Sequence, residues 1–78
     1  MPEDISRELD RLAARKHNIK PRELEQAAKD AGYRLDRVTG SHAIYEKEGA
    51  RDLSIPRHPG AMNGYLAGRI IANIRDSL

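Results

Sequence analysis

The triplet Gly40-Ser41-His42 sets a residue without a side chain, a hydroxyl and an imidazole next to one another, where an apolar, strand-like run begins. Around it stand Arg37, Lys47, Arg51 and Arg57, with His58 immediately after Arg57. One reaction asks for little more than an imidazole and a few cations: cleavage of RNA by its own 2′-hydroxyl, which attacks the adjacent phosphate. The substrate brings the nucleophile, and the protein moves a proton and steadies charge on the phosphate. An unperturbed imidazole titrates near ~6.5, which suits either proton role close to neutrality. Gly40 lets main chain come close to a phosphate. Ser41 and neighbouring N–H groups can donate to its oxygens, and the four cations can supply positive charge.

Other chemistries fit less well. His17, His42 and His58 lie 25 and 16 residues apart, and none pairs at helical i, i+4 spacing, so no metal-ligand pattern emerges. No Gly-x-Ser-x-Gly elbow surrounds Ser41, and neighbouring strand residues point to opposite faces, which is poor geometry for a Ser–His hydrogen bond. Asp36, Glu46, Glu48 and Asp52 alternate with basic residues and read as solvated strand surface. Taken alone, a histidine at the head of a strand also reads as a turn residue. His58 likewise reads as part of a loop, and His17 as a helix terminus, where an imidazolium favours the C-terminal dipole. Tyr45 fits a core position as well as a platform for a base.

Composition bounds the rest. The chain has 78 residues, enough for one small domain with a modest core. It has no Phe and no Trp, so the core must be aliphatic, with Tyr33, Tyr45 and Tyr65 as the only large rings. The absence of Cys excludes disulfides, thiolate zinc sites and a cysteine nucleophile, and fits a reducing compartment. Met1-Pro2-Glu3-Asp4 is acidic and precedes no apolar h-region, so no secretory signal is expected. No apolar run approaches transmembrane length, and a cytoplasmic location is expected. Fourteen Lys and Arg oppose twelve Asp and Glu, for a net charge of +2, with no strongly basic block. A basic face must therefore come from folding.

The elements that would position His42 follow from periodicity. Ile5, Leu9 and Leu12 recur at helical spacing and predict a first helix over 4–16, capped by Asp4 or Ser6. Pro21 opens a second helix over 21–31, with Leu24, Ala27, Ala28 and Ala31 on one stripe and Gly32 as its stop. Three strands follow. Residues 33–38 put Tyr33 and Leu35 on one face, and 42–47 oppose Ala43 and Tyr45 to His42, Ile44 and Glu46. Residues 51–55 put Leu53 and Ile55 together. Turns at 39–41 and 48–49 predict two hairpins, hence a three-stranded antiparallel meander. Residues 56–64 read as a loop. A last helix begins near Asn63 with Leu66, Ile70, Ile71, Ile74 and Leu78 on its apolar face. Helices flanking a run of strands imply α+β, with helices on one sheet face and the other face or an edge free for a partner.

In this order the segment "KPRELEQAAKDAGYRLDRVTGSHAIYEKEGARDLSIPRHPG" resembles the HicA family of toxins. The resemblance starts at Lys20-Pro21 and runs into the last helix. It rests on a helix ending in Ala31-Gly32-Tyr33 and on Gly40-Ser41-His42 with an aromatic at Tyr45. It also rests on Ile55-Pro56 followed by His58, and on Gly64 opening a helix with Leu66 and Ile70 or Ile71. It implies a double-stranded-RNA-binding-domain-like fold, α-β-β-β-α, over residues 20–78. Residues 1–19 would add an N-terminal helix that packs on the domain, self-associates or meets a partner.

The same resemblance implies an endoribonuclease that cleaves mRNA and so inhibits translation, with His42 catalytic, no metal and no cofactor. A HicB-type antitoxin would cover the site. Gly40, Ser41, Arg37, Lys47, Arg51, Arg57 and His58 are the expected substrate contacts. Residues 61–63, Tyr65 and the muted basic balance depart from the commoner family wording. Two other readings remain open on the residues alone: a non-catalytic RNA-binding module of the same fold, and an inactive interaction protein.

Overall fold

The computed structural model describes residues 2–15, 18–57, 60 and 62–78. Three helices and three strands follow one another as α1 (Pro2–Arg15), α2 (Pro21–Asp30), β1 (Arg34–Thr39), β2 (His42–Glu46), β3 (Leu53–Pro56) and α3 (Gly64–Asp76). The sheet is antiparallel in the order β1-β2-β3. Helices α2 and α3 pack on β3, and α1 packs on both helices. This is the α+β arrangement expected, with the double-stranded-RNA-binding-domain-like order α2-β1-β2-β3-α3 and one helix before it.

Local chemistry sets the boundaries. Pro21 begins α2, and the Glu23 carboxylate accepts the Lys20 N–H at 3.0 Å, satisfying a donor the helix leaves free. Arg15 also donates to that carboxylate. These two donors hold Glu23 below the usual carboxylate range against the effect of burial. The far end of α2 closes as a Schellman turn. Gly32 takes φ +100°, its N–H donates to Lys29 at 3.0 Å, and the Tyr33 N–H donates to Ala28 at 2.9 Å. Asn63 caps α3 by accepting the Tyr65 N–H at 2.8 Å. Helix α1 starts at Pro2, so Asp4 and Ser6 lie within its first turns and are not its cap. A proline is tolerated there because the first N–H groups have no helical partner.

The core lies between the helices and one face of β2 and β3. Leu9, Leu24, Tyr45, Leu53, Ile55 and Ile74 are its fully buried large side chains. Along β2, Ala43 and Tyr45 are buried, whereas His42 is exposed and Ile44 and Glu46 are partly so. Leu53 and Ile55 are buried from β3. On α3 the buried stripe is Ala67, Ile70, Ile71 and Ile74; Leu66 at its margin is exposed, and so is Leu78, which lies beyond the end of the helix.

Strand β1 departs from the expected pattern. Tyr33 is buried, but it precedes the strand, and every residue of β1 is exposed. Leu35 pairs with Tyr45 and Val38 with Ala43, so both lie on the covered side of the sheet. They remain 43% and 46% exposed because the helices stop short of this edge. A register shift between Leu35 and Arg37 bulges the strand at Asp36 and brings Leu35 and Val38 to one face. The bulge and the charges of Arg34, Asp36 and Arg37 guard the open edge against pairing with other chains. Strands β2 and β3 are also shorter than expected, because Lys47, Arg51 and Asp52 belong to the connecting loop.

Helix α1 is part of the same core. Leu9 and Leu12 are buried, Ile5 packs at the edge, and Arg75 donates to Asp10 at 2.6 Å. Of the roles open to this helix, packing on the domain is the one observed. Leu9→Ala should cost about 2–5 kcal/mol, the range for truncating a buried leucine, whereas Leu35→Ser should stay within about 0.5 kcal/mol as an exposed change. Urea denaturation of the two variants beside the wild type measures both. Equal stability of wild type and Leu9→Ala would contradict the placement of α1.

Candidate functional site

Strands β1 and β2 join through a two-residue loop, Gly40-Ser41, closed by the Thr39–His42 pair. Gly40 has φ +57°, while Ser41 keeps an ordinary backbone, the demand of a type II′ hairpin. A Cβ on Gly40 would meet no atom within 4 Å, so backbone conformation and not packing calls for glycine here. His42 is exposed at the N-terminal end of β2, and its partner across β3 is Pro56. Alternation puts His42 on the sheet face that the helices leave open, with Ile44 and Glu46. Arg37 pairs with Ile44 and Thr39 with His42, which places Arg37 on the same face. The Arg37 guanidinium is engaged by the neighbouring Asp36 carboxylate.

The other expected contacts are dispersed. Lys47 lies beyond the opposite end of β2, five residues and roughly 16 Å from His42 at strand rise. Its Nζ donates to the Ser77 carbonyl at 2.9 Å and the Ser77 hydroxyl at 3.2 Å, and sits 5.7 Å from the Tyr33 ring centre. Lys47 therefore caps the C-terminus of α3, where a cation is favoured. Arg51 belongs to the same far end and lines an open cavity of about 340 Å³ with Asn73 and Asp76. His17 and His58 lie outside the described residues. Among those described, no group of three or more His, Cys, Asp or Glu side chains is placed to hold a metal ion.

Arg57 stands at the His42 end but turns the other way. Its predecessor Pro56 pairs with His42, and the Arg57 side chain reaches across the covered side to Glu25 of α2. The guanidinium donates through Nη2 at 2.9 Å and Nε at 3.3 Å to the two carboxylate oxygens. The Tyr45 hydroxyl donates to the same carboxylate at 2.5 Å. The Arg57 main-chain N–H donates to the Ser41 carbonyl at 2.5 Å. Glu25 was not visible as a site residue in the sequence. Its only signal is its position beside Leu24 at the margin of the α2 stripe, and its partners are 20 and 32 residues away.

Electrostatics follow from that cluster. Burial alone would raise the Glu25 carboxyl, but hydrogen bonds from Arg57 and Tyr45 outweigh it, and the net shift is downward from 4.5. Burial pushes the Tyr45 hydroxyl up to about 12, aided by its bond to Glu25 and by that residue's charge. The hydrogen bond and charge of Glu25 also strengthen the hold of Arg57 on its proton. A lowered carboxyl contributes stability above its unfolded value, and that contribution is lost as pH falls through the folded value. Wild type should thus lose more stability than Glu25→Gln between about pH 6 and pH 3, as measured by urea midpoints across that range. Parallel profiles would show that the carboxylate is not held in this way.

No described helix is long and apolar enough to cross a membrane. No curated protein and no solved structure matches the chain. The sequence model of one family, described as HicA toxin of bacterial toxin-antitoxin, matches residues 21–73. That span begins at Pro21, one residue after the start of the resemblance, leaves α1 outside, and takes in α2, the whole sheet and most of α3. With well over half of its length matched, the chain belongs to the HicA family of toxins from bacterial toxin–antitoxin systems, a membership that implies a HicB-type antitoxin as partner.

Proposed function

We propose that this toxin is an endoribonuclease that cleaves mRNA at its open sheet face, with His42 as the proton-transfer group. The observation that carries the reading is the exposure of His42 on the face no helix covers, at the closing pair of a two-residue hairpin. The neutral imidazole takes the proton of a 2′-hydroxyl, and the freed oxygen attacks the adjacent phosphorus. The bond from phosphorus to the 5′-oxygen breaks, and that oxygen takes a proton from the imidazolium or from water. The products are a 2′,3′-cyclic phosphate and a 5′-hydroxyl end. The pentacoordinate phosphate gathers negative charge, which Arg37 on the same face and the N–H groups of the Gly40-Ser41 loop would stabilise. No metal or cofactor takes part in this scheme.

Gly40 and Ser41 fit a role at the phosphate because they form the loop beside His42. Lys47, bonded to the C-terminus of α3, and Arg51, beside Asn73 and Asp76 of α3, would meet only RNA that runs past the far end of the sheet. The antitoxin would silence the toxin by covering the open face.

His42→Ala should lower RNA cleavage by at least ~100-fold, the scale of losing a general base, while the far-UV spectrum and unfolding midpoint stay as in wild type. Labelled single-stranded RNA run on a denaturing gel reads the outcome, and undiminished cutting by the variant would rule out His42. Salt-sensitive binding without products, in wild type as well, would instead support the non-catalytic RNA-binding module.

A further inference from the structure

The Glu25 cluster lies on the opposite side of the sheet from the open face, yet it is tied to the peptide that enters His42. Three connections make the tie. Glu25 of α2 receives both the Tyr45 hydroxyl, three residues beyond His42, and the Arg57 guanidinium. The main chain of Arg57 donates to the Ser41 carbonyl at 2.5 Å. The Ser41 carbonyl belongs to the peptide bond shared with His42. Holding Arg57 in place therefore holds one side of the unit from which the imidazole projects.

The side chains of the cluster divide the labour. Glu25 is largely enclosed, with 13% of its side chain accessible, whereas the Arg57 side chain is 44% accessible. The carboxylate is thus the fixed point, and Arg57 is the arm that reaches it from the end of β3. Because Arg57 follows Pro56, the partner of His42, its side chain leaves the sheet on the face away from the imidazole. A phosphate beside His42 is consequently not where this guanidinium points, and two of its donors are already taken by Glu25.

We propose that Glu25 and Arg57 are positioning residues for His42: their ion pair clamps the Arg57 main chain on the Ser41 carbonyl and so sets the direction of the imidazole. The proposal rests on the reading of His42 as the proton-transfer group. Proton transfer needs the ring within hydrogen-bond reach of the 2′-hydroxyl, and a displacement of about 1 Å costs up to ~100-fold in rate. Substrate binding would be spared, because neither side chain faces the RNA.

The test compares wild type, Glu25→Gln, Arg57→Gln and the double variant in cleavage of one labelled single-stranded oligoribonucleotide, with amide hydrogen exchange on each. Each single change should lower kcat about 10-fold with KM within about twofold. The double variant should be no slower than the worse single, because both residues serve one clamp. Exchange at the Arg57 amide should quicken in both single variants while Ala43 and Tyr45 keep their protection, which a general loss of stability would not produce.

Arg57→Gln alters an exposed side chain, so it remains informative if Glu25→Gln folds poorly. A raised KM with unchanged kcat in Arg57→Gln would make Arg57 a phosphate ligand and overturn the proposal. So would wild-type kcat and Arg57 amide protection in Glu25→Gln. Wild-type protein that leaves RNA intact would overturn the reading of His42 and this proposal together. Wild type that cleaves, beside a Glu25→Gln that cleaves equally well, would overturn the positioning role alone.

Discussion

Tyr45 fills the centre of the covered sheet face and is fully buried, and it carries a hydroxyl into that position. A buried hydroxyl without a partner is costly, on the order of 1–3 kcal/mol, so something on the facing layer must accept its hydrogen bond. Helix α2 supplies the Glu25 carboxylate. A carboxylate held against a core in turn requires a cation, since a partly desolvated charge is tolerated only when paired. Arg57 meets that need from the chain leaving β3. The aromatic ring thus dictates the contact between α2 and the sheet, and then the course of the backbone past Ser41. The hairpin that presents His42 is fixed from behind by a requirement that begins in the core.

How far the sequence reveals this molecule depends on the range of the forces involved. Local signals were legible. The Pro21 start, the Gly32 stop, the Asn63 cap and the alternation of His42-Ala43-Ile44-Tyr45 each depend on neighbours within a few residues. So was the Gly40-Ser41 hairpin, whose geometry glycine dictates. The exposure of Leu35 was not, because alternation says which residues share a face but not whether a helix reaches over it. The same limit applies to the cations. Arg57 and Lys47 read as charge available to a substrate, but their partners Glu25 and Ser77 lie 32 and 30 residues away. No local pattern announces such pairings, and they decide which charges are spent inside the fold.

Helix α1 shows the balance of gain and cost in joining a short element to a small core. Its Leu9 and Leu12 complete the apolar layer over α2 and α3, and Arg15 and Asp10 add ion pairs at its flanks. Against this, Glu8 is carried to the α1–α2 contact, where one of its carboxylate oxygens is buried without a hydrogen-bond partner. Burial, together with the nearby Asp30 carboxyl, raises the Glu8 carboxyl above 4.5. The contact therefore favours the protonated form, and what it contributes to stability weakens as pH rises through that raised value. Helix α1 stays docked because the buried leucines outweigh one ill-matched acid.

The ion pairs around the open face differ in kind from the one behind it, and the difference bears on the proposed substrate. Arg37 with Asp36 and Arg34 with Glu46 are surface pairs, with guanidinium side chains 58% and 82% accessible. Such pairs contribute about 0–1 kcal/mol, so an RNA phosphate can take over either arginine at little cost. The Glu25–Arg57 pair shares an enclosed carboxylate with the Tyr45 hydroxyl, and removing its cation would leave that carboxylate to face the core alone. The first kind can be exchanged for a ligand and the second cannot without disturbing the hairpin. A chain with a net charge of only +2 can therefore still present exchangeable positive charge beside His42, while the cations committed to its fold stay where they are.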